Sequence, residues 1–231
     1  MILYAIPTPL GGTPEAALPA STLQRVRQLQ DFVVEDAKSA RAFLSAAGCK
    51  VRELNLAELS EHTAAADVPR LLQPLREGRS LGLLSEAGCP AIADPGALLV
   101  DAAQTEGFRV VPLVGPSSIM LALMASGLEG QRFAFCGYLP RDAGERTKRI
   151  RELEARSRRE RETQIFIETP YRNDALLAAL VQACAPATRL CVAADLTLES
   201  ESVKTRKIGE WRRAPAIGKR PAVFLLLADH R

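Results

Sequence analysis

The sequence has few of the residues from which disulfide frameworks and zinc sites are built. It contains five cysteines, an odd number, and no two of them are spaced as Cys-x-x-Cys. Its two histidines, His62 and His230, are the only side chains that could join the cysteines as nitrogen ligands. These counts argue against a bound metal. The cysteines are therefore interpreted as reduced thiols of a cytoplasmic protein.

Long hydrophobic runs and an excess of one charge are also absent. The apolar start of the chain, residues 2–6, is broken at once by Pro7 and Pro9, and no basic residue precedes it. This pattern fits neither a signal peptide nor a transmembrane helix, so we expect no membrane association. A net charge of +3 permits an anionic partner without requiring one.

What the sequence does contain is a regular alternation of strand and helix patterns in its first half. With 231 residues and 47% hydrophobic content, the chain can form one large domain or two smaller ones. Strand-like runs at 2–6, 32–35, 51–55, 80–84 and 110–114 alternate with helical patterns over 21–31, 39–47, 65–77 and 97–106. This alternation predicts a parallel sheet with helices on both faces.

The second half has a different pattern. A helix of small and apolar residues is expected over 117–126, directly after Gly115-Pro116. Strand-like runs follow at 133–139, 163–168, 190–194, 203–208 and 222–228, with two helices among them, one before residue 163 and one over 173–184. These runs favour a mixed or antiparallel sheet with helices on one side. We therefore expect two α/β domains, 1–114 and 115–231.

The most informative stretch of the sequence is the loop 85–96, SEAGCPAIADPG. It follows an apolar strand and precedes a helix, so it lies at the carboxyl end of a parallel strand, where open α/β sheets bind ligands. Gly88 and Gly96 allow close approach of the backbone to a ligand, and Pro90 and Pro95 restrict the shape of the loop. Because these residue types are also common in ordinary turns, the loop alone leaves both interpretations open.

The most charged segment, residues 141–162, contains nine basic and six acidic residues. Many opposite charges are three or four residues apart, which predicts a solvated helix with internal ion pairs. A phosphate-binding face is the alternative, because arginine matches the geometry of phosphate. The segment has no aromatic residue on which a base could stack.

Several sequence blocks occur in an order that is shared with a known family. They are LYAIPTPLG at 3–11, VVED at 33–36, the loop 85–96, PLVGPSS at 112–118, RF at 132–133 with GYLP at 137–140, and FIETPYR at 166–172. This order resembles the tetrapyrrole methylase superfamily and, within it, the bacterial 16S rRNA 2′-O-ribose methyltransferases that act on a cytidine. The resemblance extends from residue 3 to about residue 228 and identifies the chain as a short, divergent member without the usual C-terminal extension.

Three blocks distinguish this chain within the superfamily. PTPLGG at 7–12 replaces the G-x-G-x-G-D opening of the classical tetrapyrrole enzymes, which favours the rRNA branch. Where that branch has Glu-Asp-Thr-Arg, this chain has Glu35-Asp36-Ala37-Lys38. Where it has Arg-Glu-Leu-Thr-Lys, the sequence is ADLTL at 194–198, without either basic residue.

The resemblance implies two α/β domains with S-adenosyl-L-methionine bound in a cleft between them, usually within a homodimer. The contacts with this cofactor, carried over position by position, are Leu10, Cys89, Ile92, Ser117, Ser118, Glu168, Leu196 and Ala222. Free N–H groups where the helix after residue 117 begins are suited to a polar or negatively charged group. Ribosomal RNA, or the small ribosomal subunit, is the implied partner.

Methyl transfer to a ribose hydroxyl needs a group that orients or deprotonates it, because the pKa of the hydroxyl is high. We expect Glu35 or Asp36 in this role, since two adjacent acids directly after an apolar strand point at the carboxyl edge of the sheet. Capping of the following helix is the structural alternative. The remaining candidates are His62, Glu86, Asp94 and Glu168, the last interpreted as an ion pair with Arg172.

Two other functions are compatible with the same sequence. One is a methyltransferase that acts on an acceptor other than RNA. The other is a cofactor-binding module of the same fold without catalysis, which the missing basic residues at 194–198 favour. Turnover with labelled cofactor distinguishes an enzyme from a binding module.

Overall fold

The structure is a computed structural model that describes residues 1–60, 62–211 and 216–229. The chain divides into two compact units, Met1–Ser117 and Ser118–Arg231. His230, one of the two histidines considered as metal ligands, lies outside the described residues. Within the described ranges, no helix combines the length and the apolar character needed to cross a membrane.

The N-terminal unit, Met1–Ser117, is built on a parallel sheet of five strands. The strands are β1 (Ile2–Ile6), β2 (Asp31–Val34), β3 (Asn55–Glu58), β4 (Leu81–Leu84) and β5 (Arg109–Pro112). Their spatial order is β3-β2-β4-β1-β5, and every neighbouring pair is parallel. All residues of β2 and β4 are buried, as expected for strands that are covered on both faces.

Helices cover both faces of this sheet, which confirms the prediction. They are α1 (Pro14–Ala17), α2 (Ala20–Arg27), α3 (Ala37–Ala46), α4 (Gln73–Arg76) and α5 (Gly96–Thr105). On one face, Val26 and Leu44 belong to a buried cluster with Ile6. On the other face, Leu72 and Leu99 form part of a second buried cluster.

Two element predictions in this unit were wrong. Residues Val51–Glu53 form a turn of 3-10 helix, and the third strand comes later, at Asn55–Glu58. Val51 and Leu54 pack against the core from this turn, so their apolar character does not indicate a strand. The helix predicted over 65–77 is a 3-10 segment, Ala65–Leu72, followed by the short α4, because Pro69 lacks the N–H that a continuous α-helix requires.

The C-terminal unit, Ser118–Arg231, contains the predicted mixed sheet. Its strands are β6 (Phe133–Tyr138), β7 (Thr163–Glu168), β8 (Arg189–Ala194), β9 (Ser202–Lys207) and β10 (Ala222–Leu227). They are ordered β6-β7-β10-β8-β9. β6 and β7 are parallel, whereas β10 is antiparallel to β7 and β8, and β9 is antiparallel to β8.

Helices lie on both faces of this second sheet, so the expectation of helices on one side was wrong. The helices are α6 (Ser118–Ser126), α7 (Ala143–Glu160), α8 (Asn173–Ala183) and α9 (Ile208–Trp211). α7 and α8 pack on the face where the rings of Phe166 and Phe224 stack at 5.9 Å. α6 contacts the other face, where the Thr205 hydroxyl donates to the Ser126 carbonyl at 2.6 Å. All six residues of β10 are buried, which requires cover on both faces.

Candidate functional site

The loop 85–96 leaves β4 at the carboxyl edge of the parallel sheet and is held to the segment after β1. The Thr8 N–H donates to the Gly88 carbonyl at 2.9 Å, and the Gly88 N–H donates to the Thr8 carbonyl at 3.1 Å. Gly88 has a φ of +77°, and a Cβ at this position would lie 3.3 Å from Cδ2 of Leu10. Since glycine adopts this conformation without strain, it permits the close packing of the two segments.

The second half of this loop is a strained turn organised by Asp94. Its Oδ1 accepts hydrogen bonds from the Ala91 N–H at 2.9 Å and from the Gly96 N–H at 2.7 Å. Ala91 and Ala93 have φ values of 66° and 64°, a conformation that side chains other than glycine rarely adopt. Between them, Ile92 is 48% exposed despite being apolar. Strain of this kind persists where surrounding contacts enforce it, and it clusters at ligand-binding sites.

The Asp94 carboxyl is largely buried within this turn. Burial raises the pKa of this carboxyl, although the hydrogen bonds from Gly96 and Ala91 act in the opposite direction. Oδ2 of Asp94 is buried and has no hydrogen-bond partner among the described residues. The carboxyl therefore has an unused polar atom inside the turn.

Segment 115–117 completes this edge of the N-terminal unit. The Cys89 thiol donates to the Pro116 carbonyl at 3.4 Å, and burial raises the pKa of this thiol. A Cβ at Gly115 would lie only 2.4 Å from Cβ of Pro7, so the chain passes the residue directly after β1 at close range. Two of the predicted cofactor contacts are thus located. Leu10 lies next to Gly88, and Cys89 contacts Pro116. Ser117 follows Pro116 directly and is half-buried.

Acidic residues surround the ends of β2, β3 and β4. Oε2 of Glu35 accepts a hydrogen bond from the Glu86 N–H at 3.1 Å, which ties the end of β2 to the loop 85–96. Oε1 of Glu58 accepts from the Ala37 N–H at 3.1 Å. The pKa of the Glu86 carboxyl is raised, first by burial and then by the negative charges of Glu35 and Asp36. Three carboxyl groups, those of Glu35, Asp36 and Glu86, thus lie near one another at this edge of the sheet.

Asp36 caps α3, as the structural alternative proposed. Its Oδ1 accepts a hydrogen bond from the Ser39 N–H at 2.7 Å, and this contact lowers the pKa of the carboxyl. Because the carboxylate satisfies a free N–H group of the first helical turn, it is already engaged in the fold. Among the other candidates, His62 is exposed, and its backbone N–H donates to the Ser60 hydroxyl at 3.3 Å.

In the C-terminal unit, three predicted contacts lie at one edge of the sheet. Glu168 at the end of β7 pairs with Ala222 at the start of β10, and Ala222 pairs with Ala194 at the end of β8. Leu196, two residues further along, is 8% exposed. The structure thus brings Glu168, Leu196 and Ala222 to the same edge. Ser118, the fourth predicted contact of this unit, begins α6.

Glu168 forms the ion pair that the sequence indicated. Its side chain is 1% exposed, and Oε1 accepts hydrogen bonds from Nε of Arg172 at 2.9 Å and from the Thr169 N–H at 2.7 Å. Arg172 and the Thr169 N–H hold this carboxylate in place, so it is a fixed polar group at the end of β7.

Arg220 and Asp195 were missed in the sequence, although they hold the loop that carries Leu196. Nε of Arg220 donates to Oδ2 of Asp195 at 2.6 Å, and the pKa of Asp195 is lowered by this contact. Asp195 and Thr197, on either side of Leu196, have φ values of 51° and 74°. The loop is therefore strained in the same way as 91–93. Aspartate adopts a left-handed backbone more often than most residues, but β-branched Thr197 does not, so the sequence did not reveal this loop conformation.

The charged segment 141–162 is largely the predicted solvated helix with internal ion pairs. In α7 and directly after it, Arg149 pairs with Glu152 at 3.2 Å, Arg156 with Glu162 at 2.9 Å, and Arg159 with Glu160 at 2.8 Å. Across the part of the chain that the structure describes, no group of three His, Cys, Asp or Glu side chains is placed to hold a metal. All five cysteines are free thiols.

Comparison with known proteins identifies similar sequences. No protein-family model matches the chain. "Ribosomal RNA small subunit methyltransferase I" of Mesorhizobium japonicum is 35% identical, over 88% of this chain and 66% of its own length. The protein of the same name from Escherichia coli O157:H7 is 30% identical, over 99% of this chain and 78% of its own length. The chain thus spans about two thirds to three quarters of these relatives.

Solved structures show the same fold. The crystal structure of the methyltransferase CobJ superposes with a TM-score of 0.66 and covers 98% of this chain and 93% of its own. Its sequence identity of 17% is low, so this likeness concerns the fold alone.

Proposed function

The chain belongs to the ribosomal RNA small subunit methyltransferase I family, and we propose that it methylates the ribose 2′-hydroxyl of a cytidine in small-subunit rRNA. As a member of this family it is a methyltransferase. The observation that best supports a functioning site is the loop 85–96, where left-handed Ala91 and Ala93 follow a left-handed Gly88 at a sheet edge. Such strained geometry is typical of a ligand-binding loop.

We propose S-adenosyl-L-methionine as the cofactor, because the relatives are methyltransferases and the carboxyl edge of the N-terminal sheet carries groups that fit it. The proposed contacts are Leu10, Cys89, Ile92, Ser117, Ser118, Glu168, Leu196 and Ala222. Gly88 has no side chain to keep a ligand from the backbone, and Cys89 stays a neutral thiol because burial raises its pKa. Leu196 and Ala222 offer apolar surface to an adenine. When bound, this cofactor supplies an electrophilic methyl group on a positively charged sulfur.

We propose Glu35 as the residue that orients the ribose hydroxyl and accepts its proton. The hydrogen bond from the Glu86 N–H fixes the Glu35 carboxylate at the carboxyl edge of the sheet. Asp36 serves this role less well, because the hydrogen bonds from Ser39 lower the pKa of its carboxyl and so make it a weaker proton acceptor. The neighbouring carboxyl groups of Glu35, Asp36 and Glu86 also favour a cationic ligand at this edge. Asp36 is therefore proposed as a positioning residue that holds α3 next to Glu35.

Methyl transfer to purified small ribosomal subunits, with cofactor labelled in the methyl group, tests this function. We expect label in the RNA fraction and, after alkaline hydrolysis, in dinucleotides, because a methylated 2′-oxygen cannot attack the neighbouring phosphate. Label in mononucleotides would contradict ribose methylation and indicate a base as the acceptor. Cofactor binding without transfer to RNA would favour one of the two alternatives, a different acceptor or a non-catalytic module.

We also propose that the protein is a cytoplasmic homodimer, in line with its free thiols and its family. α6 is apolar apart from the serines at its two ends, and its Met120 and Met124 are 39% and 79% exposed. Light scattering should return twice the chain mass of 25.0 kDa at micromolar concentration. Met124→Glu should shift the protein towards the monomer by placing a charge in the apolar contact. Tyr171→Glu is the matched control, because Tyr171 is also 79% exposed but lies outside α6. A wild-type protein of 25.0 kDa would refute the dimer.

A further inference from the structure

A pocket opens beside β9, the edge strand of the C-terminal sheet. The cavity itself has a volume of about 50 Å³, within about 410 Å³ of space that includes open solvent. Val192 and Ala194 of β8 form part of an apolar lining, together with Trp211. Lys204, Arg206 and Arg220 also line the pocket, and the described lining residues include no acid. The pocket thus combines apolar surface with three cationic side chains.

The register of β9 explains why these cations share a face. Lys204 pairs with Val192 and Arg206 pairs with Leu190, so their side chains lie on the same face of the sheet as the apolar core under α7 and α8. Lys207, one residue beyond Arg206, is directed to the opposite face because strand side chains alternate. The sequence SVKTRK therefore places two of its three basic residues at the pocket.

Lys204 and Arg206 differ from the arginines of α7 in their charge balance. Several α7 arginines have carboxylate partners, and Arg220 is paired with Asp195. Throughout the described ranges, no ion pair joins Lys204 or Arg206 to a carboxylate. The Arg206 guanidinium lies over the Trp211 ring, 5.6 Å from its centroid, which restricts its orientation. Two positive charges are thus left for an external anion.

We propose, building on the RNA acceptor proposed above, that this pocket binds the phosphate backbone of the RNA, with Lys204 and Arg206 contacting phosphate oxygens. Arginine and lysine supply most phosphate contacts in nucleic-acid complexes. Basic residues on an edge strand also prevent pairing with another sheet, and Lys207 serves that purpose equally well from the opposite face. A comparison of variants at Lys204 and Lys207 therefore distinguishes an RNA-binding surface from a strand edge that is only protected against pairing.

The test is binding of a fluorescent fragment of small-subunit rRNA, followed by anisotropy at several salt concentrations. Lys204→Glu combined with Arg206→Glu should weaken binding about tenfold at low salt. The slope of log affinity against log salt should become shallower by about 1.4, since each lost contact with single-stranded RNA accounts for about 0.7. Affinity for S-adenosyl-L-methionine, measured by calorimetry, should not change.

A pair of single variants is the matched control. Lys204 and Lys207 are both exposed on β9 and lie on opposite faces, so Lys204→Glu and Lys207→Glu change the net charge equally. Lys204→Glu leaves Arg206 on Trp211 and thus keeps the packing of the pocket. We expect weaker RNA binding for Lys204→Glu and near wild-type binding for Lys207→Glu. Equal losses of RNA affinity in the two variants would overturn the proposal that the pocket binds RNA and would indicate only an effect of net charge.

A second basic surface provides a further comparison. Arg149→Glu with Arg151→Glu makes the same charge change on α7, where Arg149 is already paired with Glu152. A larger loss of RNA binding in this variant than in the β9 double variant would overturn the proposal and identify α7 as the RNA-binding surface.

The outcome is separate from that of the proposed function. If wild-type protein methylates rRNA while the β9 double variant binds RNA with unchanged affinity and salt slope, the proposed RNA-binding role of the pocket is wrong and the proposed function stands. If wild-type protein binds no RNA at low salt, the proposed RNA-binding role of the pocket is wrong, whichever molecule accepts the methyl group.

Discussion

Replacement of Gly88 by valine should abolish binding of S-adenosyl-L-methionine, with no heat of binding at millimolar cofactor. Gly88 has a φ of +77°, where a β-branched side chain is a severe outlier. The added Cβ would also lie 3.3 Å from Leu10 and 3.7 Å from the Pro116 carbonyl oxygen, two groups next to the proposed site. Because the backbone of Gly88 is paired with Thr8, strain at this residue displaces both segments.

The control for this variant is Gly107→Val. Gly107 follows α5 and has a φ of +76°, so valine meets almost the same backbone strain. Among the described residues nothing lies within 4 Å of a Cβ at Gly107, so no further contact is disturbed. Gly107→Val should lower the melting temperature but keep cofactor binding. Wild-type affinity in the folded Gly88→Val protein would contradict our placement of the cofactor at this loop.

Glu35→Gln should lower kcat for methyl transfer by about a hundredfold to ten-thousandfold, the usual contribution of a general base. The amide oxygen of glutamine still accepts the hydrogen bond that Glu35 receives from the Glu86 N–H, so the local fold is retained. The amide cannot take up a proton from the ribose hydroxyl. Cofactor affinity, measured by calorimetry, should stay at the wild-type value, and single-turnover assays should show the loss in the chemical step.

Asp36→Asn and Glu86→Gln are the comparisons for Glu35→Gln. Asparagine is an equally good helix cap, so Asp36→Asn should keep both stability and most of the activity. Glu86→Gln removes a carboxyl whose pKa is raised by burial and by the neighbouring acids. A normal kcat in Glu35→Gln together with a large loss in Glu86→Gln would contradict our choice and assign the proton acceptor to Glu86.

The sequence predicted the elements whose patterns are local. β1 and β7 have the predicted bounds, and the loop 85–96 follows β4 as its Gly and Pro residues indicated. The Glu168–Arg172 ion pair was also visible, because residues four apart meet on one turn. The predicted position of the third strand was wrong because Val51 and Leu54 are apolar for another reason: they pack against the core from a 3-10 turn. A short apolar run does not distinguish such a turn from a strand.

By itself, the sequence determined the two α/β units, the position of the loop 85–96 after a buried strand and the family, because these depend on residue order and local conformational preference. Tertiary structure alone decided which charges became neighbours. Burial raises the pKa of the Glu86 carboxyl, and the negative charges of Glu35 and Asp36 raise it further because the adjacency of β2 and β4 brings them close to it. Lys204 and Arg206 form a pocket only because β9 pairs with β8 at the sheet edge. Electrostatic interactions depend on distance in space, and strand order in a sheet sets that distance independently of separation along the chain.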